Sequence, residues 1–112
     1  MAVRMTLQTR LVLHALLQVP ESELYGLDLI RATGLGPGTV YPILQRLERA
    51  GWLTSRWERV DPSDEARPAR RYYALTGEGV RDGLRELAAA ESRSGSLTNL
   101  LGSLPKEARG QA

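Results

Sequence analysis

Apolar residues recur at helical spacing in four stretches of this chain and cluster at strand density in two more. Residues 7 to 18 predict the first helix, with Thr6 as N-cap and Pro20 as terminator. Val12, Leu13, Leu16 and Leu17 fall on one broad face. Leu7 and Leu11 lie off that face, beside Arg10, His14 and Gln18. A helix with two apolar surfaces must bury them against two things, the core and a second subunit. Residues 25 to 33 predict a second helix on the i, i+3 pair Leu27 and Ile30, closed by Gly34. The third helix starts at Pro37, a residue pre-set for the first helical position. Its apolar stripe is Val40, Ile43, Leu44 and Leu47, and Gly51 closes it. Pro42 falls near the first turn, with Gly38 four residues back to ease its ring.

Trp52 to Glu58 and Arg70 to Leu75 read as two short strands, the second carrying Tyr72 and Tyr73. The segment RVDPSDEARPA between them is a loop by its turn formers. Thr76 then caps a fourth helix with an apolar face of Val80, Leu84, Leu87 and Ala88. After SRSGS, the residues Leu97, Leu100, Leu101 and Leu104 resume helical spacing on a rotated face. The expectation is one long helix over about 77 to 101, bent near Gly95. Three helices, a hairpin and a last helix make a mainly α, α+β winged helix-turn-helix. The predicted organisation is a three-helix unit with a two-stranded wing over 1–76, a C-terminal dimerisation helix over 77–104 and a flexible tail over 105–112.

Length and composition narrow the function. At 112 residues the chain makes one domain and has little room for an enclosed active site. It has no cysteine, which excludes disulfides and thiolate metal sites and fits a reducing cytosol. The N-terminal apolar run is broken by Arg10 and His14, so it is a poor signal peptide and too short to span a bilayer. A cytoplasmic, nucleoid-associated location is the expectation. The net charge is only +2, but 14 of the 15 cationic side chains are arginine, which forks onto phosphates and guanine edges. Coding bias gives the same count, so placement decides.

On the third helix, the arc opposite the apolar stripe carries Gly38, Thr39, Tyr41, Pro42, Gln45, Arg46 and Arg49. In a helix-turn-helix that arc meets the major groove. Gln45 has the donor and acceptor pair that adenine matches. Thr39 and Tyr41 suit a thymine methyl or a phosphate, and Arg46 and Arg49 suit phosphates. The plainer alternative is a solvated helix face, on which Arg and Gln are common. Arg67, Arg70 and Arg71 cluster where a wing would lie over the DNA backbone, while Asp61, Asp64 and Glu65 in the same loop oppose that reading. His14 is the only histidine and lacks companion ligands at metal spacing, so no cofactor is expected. Trp52 reads as core; Trp57 can stack on a ligand or partner, with packing the simpler reading. Gly36 to Gly38 is not a phosphate loop, and Ser22, Ser55 and Ser63 have no base to activate them, so an enzyme is not expected.

Taken together, LYGLDLIRATGLGPGTVYPILQRLERAGWL resembles the helix-turn-helix of PadR-type regulators. The matching residues are Gly26, Pro37, Gly38, Thr39, Tyr41, Pro42, Arg46, Leu47, Glu48 and Gly51. SRWERVDPSDEARPARRYYALTGEG is similar to the family's wing and the start of its last helix, through Arg67, Pro68, Arg70, Arg71, Tyr72, Tyr73, Leu75, Thr76 and Gly79. The resemblance covers about residues 7 to 87. It departs at Gly36, where the family often has serine, and at Leu27, where tyrosine is common. The last helix also lacks the bulky aromatics of larger members. The resemblance implies a homodimer that binds double-stranded DNA at an inverted repeat and represses transcription. Dimerisation would use Leu7, Leu11, Leu84, Leu87, Leu97 and Leu101. Two further readings stay open: a winged-helix module that binds protein, and a regulator that senses a small-molecule effector between the dimer arms.

Overall fold

The computed structural model describes residues 3–59 and 68–94. Its elements run α1 (Leu7–Gln18), β1 (Leu24–Tyr25), α2 (Gly26–Thr33), α3 (Pro37–Arg49), β2 (Leu53–Trp57), β3 (Arg71–Leu75) and α4 (Gly77–Ser94). Each boundary has a local cause. The Thr6 hydroxyl accepts the Thr9 N–H at 3.2 Å and so caps α1. The Tyr25 N–H donates to the Asp28 carboxylate at 3.0 Å, which fixes the start of α2. Gly34 takes a left-handed φ of 74° and its N–H closes on the Ile30 carbonyl, so the helix stops there. Gly51, at φ 82°, does the same work after α3.

The stripe predicted on α3 is the floor of the core. Val40, Ile43, Leu44 and Leu47 are all buried, against Val12, Leu13 and Leu16 of α1, Leu29 of α2, and Trp52, Leu53 and Tyr73 of the sheet side. Pro42 is the sixth residue of α3, just past its first turn. Its missing N–H leaves the Gly38 carbonyl without an i+4 donor, and Gly38 is exposed, so water can serve that carbonyl.

The wing differs from expectation by one strand. β2 and β3 pair antiparallel, with Leu53 opposite Leu75, Ser55 opposite Tyr73 and Trp57 opposite Arg71. β1 pairs with the other edge of β3 through Leu24–Tyr73 and Tyr25–Tyr72, giving a three-stranded sheet of order β1-β3-β2. A two-residue strand has no alternation to read, so the sequence pattern could not reveal it.

The face by which α4 packs also differs. Gly79, Gly83, Leu87 and Ala90 are the buried positions, while Val80 is half-buried and Leu84 and Ala88 are exposed. A Cβ on Gly79 would overlap the Trp52 main chain, and one on Gly83 would touch Leu13. The helix is seated by glycines that carry no hydropathy signal. Thr76 locks its start: its hydroxyl accepts the Gly79 N–H at 2.9 Å and donates to the Gly51 carbonyl at 2.7 Å. The expected bend near Gly95 lies outside the described residues. Arg10, placed on an outward side of α1 by its charge, is 3% exposed. A long side chain can bury its methylenes and still carry its charge to a partner, so polarity alone misplaces it. Among the described residues, no helix is long and apolar enough to cross a membrane.

Candidate nucleic-acid interface

The outer face of α3 follows from its inner one. With Val40, Ile43, Leu44 and Leu47 buried, helical geometry turns Gly38, Thr39, Tyr41, Pro42, Gln45, Arg46 and Arg49 outward, and all seven are exposed. Tyr41 is set by α2. Its ring lies so close to the Gly26 α-carbon that any Cβ there would collide with it. The tyrosine thus wedges the two helices while 39% of its surface stays accessible.

The sheet brings the wing to the same side. Both the Arg71 Nε and a terminal nitrogen donate to the Ser55 hydroxyl, at 3.1 and 2.7 Å. That hydroxyl in turn donates to the Glu48 carboxylate of α3 at 2.7 Å. The Arg71 guanidinium stands 3.8 Å from the other Glu48 oxygen and 5.1 Å above the Trp57 ring. A chain of polar contacts therefore joins α3 to β2 and β3. Arg70 lies 4.6 Å over the Tyr25 ring, and Arg56 lies 5.0 Å over Tyr72. Arg56 also forks onto both Glu23 oxygens, at 2.6 and 2.8 Å, and this hydrogen bonding holds the Glu23 carboxyl below its ordinary pKa of 4.5. Burial pushes the Tyr73 phenol above its usual value of 10.0.

Between helix and wing lies a groove of about 800 Å³ that Tyr41 and Gln45 border from α3 and Arg70 and Arg71 border from the wing. A shallower depression is lined by Gln45, Glu48, Arg49 and Arg71. Tyr41, Gln45 and Arg49 of α3 thus share a surface with Arg70 and Arg71, while Gly38, Thr39, Pro42 and Arg46 line neither depression. Arg67 lies outside the described residues. Sequence reasoning gave no role in the site to Glu48 or Ser55. Trp57, expected to pack, is 60% exposed. Their association depends on the β2–β3 register, which a long hairpin loop does not reveal.

The predicted dimerisation residues separate into three groups. Leu7 and Leu84 are exposed and Leu11 is half-buried. Leu87 is 7% exposed and belongs to the chain's own core. Leu97 and Leu101 lie outside the described residues.

Residues 12–88 match the Transcriptional regulator PadR-like family. The chain belongs to that family. It is a transcriptional regulator and not an enzyme. Solved structures agree on the fold. A PadR family transcriptional regulator from Eggerthella lenta is 29% identical, with a TM-score of 0.61 over 88% of this chain and 89% of its own. A PadR-like transcription factor from Bacteroides fragilis is 21% identical, with a TM-score of 0.59 over 84% and 93%. BpsR of Bordetella bronchiseptica, whose DNA binding is regulated by 6-hydroxynicotinic acid, is 23% identical with a TM-score of 0.60 over 95% and 68%. No curated protein matches the sequence. As a PadR-like chain it departs from the sequence expectation chiefly in the third strand and in the seating of α4.

Proposed function

We propose that this PadR-like regulator is a repressor that binds an inverted-repeat operator in double-stranded DNA as a homodimer, in the cytoplasm and on the nucleoid. The observation that carries the reading is the shared groove: Tyr41 and Gln45 of the polar arc of α3 and Arg70 and Arg71 of the wing border one surface. Gln45 reads a base edge in the major groove, and Thr39 and Tyr41 contact a thymine methyl or phosphate. Arg46, Arg49, Arg70 and Arg71 neutralise phosphates, together with Arg67 of the wing loop. Two copies related by a two-fold axis would place their α3 helices about one helical turn apart on the duplex. Leu7, Leu11 and Leu84 supply apolar surface for that pairing, with Leu97 and Leu101.

The test is affinity for DNA from the gene's own upstream region across a salt series. Five arginines per subunit predict a log–log slope on the order of −9 for the dimer. An affinity that does not change with salt overturns the reading. Gln45→Ala should cost about 1–3 kcal/mol on the preferred site and little on random DNA. Arg71→Ala should weaken both alike. Equal losses on specific and random DNA for Gln45→Ala would remove its base-reading role.

A further inference from the structure

An arginine that meets DNA offers its guanidinium as a fork, parallel N–H groups that match two phosphate oxygens. Arg71 reaches the surface with one edge of that fork already used. Its Nε and a terminal nitrogen both donate to the Ser55 hydroxyl, at 3.1 and 2.7 Å. The single proton of that hydroxyl goes to a Glu48 carboxylate oxygen at 2.7 Å. The same terminal nitrogen of Arg71 stands 3.8 Å from the other Glu48 oxygen. A phosphate that approaches Arg71 therefore finds a carboxylate already there.

The position of that carboxylate sets it apart. Among the described residues, Glu48 is the one acidic side chain that lines either depression beside α3. The side chains of Arg71 and Glu48 are 37% and 34% exposed, so a polyanion on this face would meet both. Arg46 and Arg49, on the same helix, have no carboxylate partner among the described residues. Glu48 thus bears on one arginine of the DNA-facing set and leaves its helix neighbours alone. Its charge is also more than the junction with the wing requires. Any side chain of that length ending in an oxygen can accept the Ser55 proton, and Val40, Ile43, Leu44 and Leu47 anchor α3 in the core.

We propose that Glu48 limits affinity: its carboxylate competes with DNA phosphate for Arg71 and so holds down sequence-independent binding. Phosphates are alike on every sequence, so this brake acts on operator and random DNA equally. With it in place, base contacts from α3 make up a larger share of the hold on DNA. The proposal rests on the reading of this face as DNA-binding. It differs in sign from a purely structural tie. Loosening the wing from α3 would weaken binding, whereas releasing Arg71 from a competing carboxylate strengthens it.

The experiment measures binding of the full chain to a duplex from the gene's own upstream region and to a duplex of random sequence, at low and high salt. Glu48→Gln removes the charge and keeps an oxygen to accept the Ser55 proton. We expect it to bind both duplexes more tightly, by about threefold per subunit and about tenfold for a dimer. The gain should shrink as salt rises, because screening weakens the charge that was removed. Glu48→Ala should gain likewise, and Glu48→Asp, which keeps the charge, should bind like the wild type. In an Arg71→Ala background Glu48→Gln should change affinity by less than about twofold, since its coupling partner is gone. Circular dichroism checks that each variant is folded. Charge-removing variants that bind no more tightly than the wild type overturn the brake and leave Glu48 a structural tie. An undiminished gain in the Arg71→Ala background overturns the competition for Arg71. A wild type without preference for upstream DNA removes the operator reading, yet a Glu48→Gln gain on random DNA still upholds the brake. A wild type that prefers upstream DNA, with no gain from Glu48→Gln, keeps the operator reading and removes the brake. Binding to neither duplex, by wild type and variants alike, overturns both.

Discussion

Replacing Gly79 with alanine should unseat α4, whereas the same change at Gly83 should not. Both glycines lie on one helix and one buried face. Both substitutions gain up to about 1 kcal/mol in helix propensity. They differ in what the new methyl meets. At position 79 it would stand 2.8 Å from the Trp52 carbonyl carbon and 2.9 Å from its Cα. Ordinary carbon contacts are about 3.5–4.0 Å, so α4 or the chain at Trp52 must move by on the order of 1 Å. Trp52 is buried, and its carbonyl accepts the Thr76 N–H at 2.9 Å, so that movement also strains a hydrogen bond. Overpacking costs about 1–3 kcal/mol and the hydrogen bond about 1 more. After subtracting the propensity gain, Gly79→Ala is destabilised by about 1–3 kcal/mol, a fall in Tm on the order of 10 °C for a domain of this size. At position 83 the nearest atom is Leu13 Cδ1 at 3.2 Å, the end of a side chain that can turn by a few tenths of an ångström. Gly83→Ala should therefore lie within about 0.5 kcal/mol of the wild type. Thermal and urea unfolding, followed by circular dichroism at one fixed protein concentration, measure both. A Gly79→Ala protein as stable as the wild type refutes the close approach of α4 to Trp52. So does a Gly83→Ala protein that loses as much as Gly79→Ala.

Two further expectations concern charge and assembly. Glu23 should titrate below 4.5 by carboxyl-carbon NMR, and Arg56→Ala should return it to the ordinary value. Because the folded value is the lower one, the stabilisation is full above the unfolded value and disappears as pH falls through the folded one; the pair is exposed, so the effect on stability is small. Leu84, 54% exposed beside a helix buried on its other side, should carry dimer contacts. Light scattering of Leu84→Glu should give a smaller mass than the wild type at micromolar concentration; a monomeric wild type would end the dimer reading.

How much the sequence discloses depends on which atom makes each contact. The core face of α3 is legible because side chains make it, and Val40, Ile43, Leu44 and Leu47 repeat at the period of the helix. The core face of α4 is legible only at Leu87, for the opposite reason. Gly79 lets α4 approach the Trp52 backbone and Gly83 makes room for the Leu13 side chain, and a missing side chain adds nothing to a hydropathy pattern. The pattern there selects Val80, Leu84, Leu87 and Ala88, of which Leu87 is buried, Val80 half-buried and the other two exposed. Helix ends were readable from Thr6, Gly34, Pro37 and Gly51, where the signal is chemical and local. β1 was not, since two residues are recruited by a partner strand nearly fifty positions later.

The site divides in the same way. Its α3 half follows from helical geometry, but its wing half is built from cross-strand neighbours. The Trp57–Arg71 pair and the Ser55–Arg71 hydrogen bonds exist only in one hairpin register. The register also changes what an arginine count means. Arg71 is a potential phosphate ligand, yet its charge is shared with Glu48 and its donors with Ser55. It therefore ties the wing to α3, and removing it perturbs that junction as well as the proposed phosphate contact. Arg46 and Arg49 have no ion-pair partner among the described residues, so their charge is not shared with a carboxylate there. A chain with a net charge of only +2 can still present a strongly cationic surface, because the acidic residues that lower the sum need not stand where the cations do.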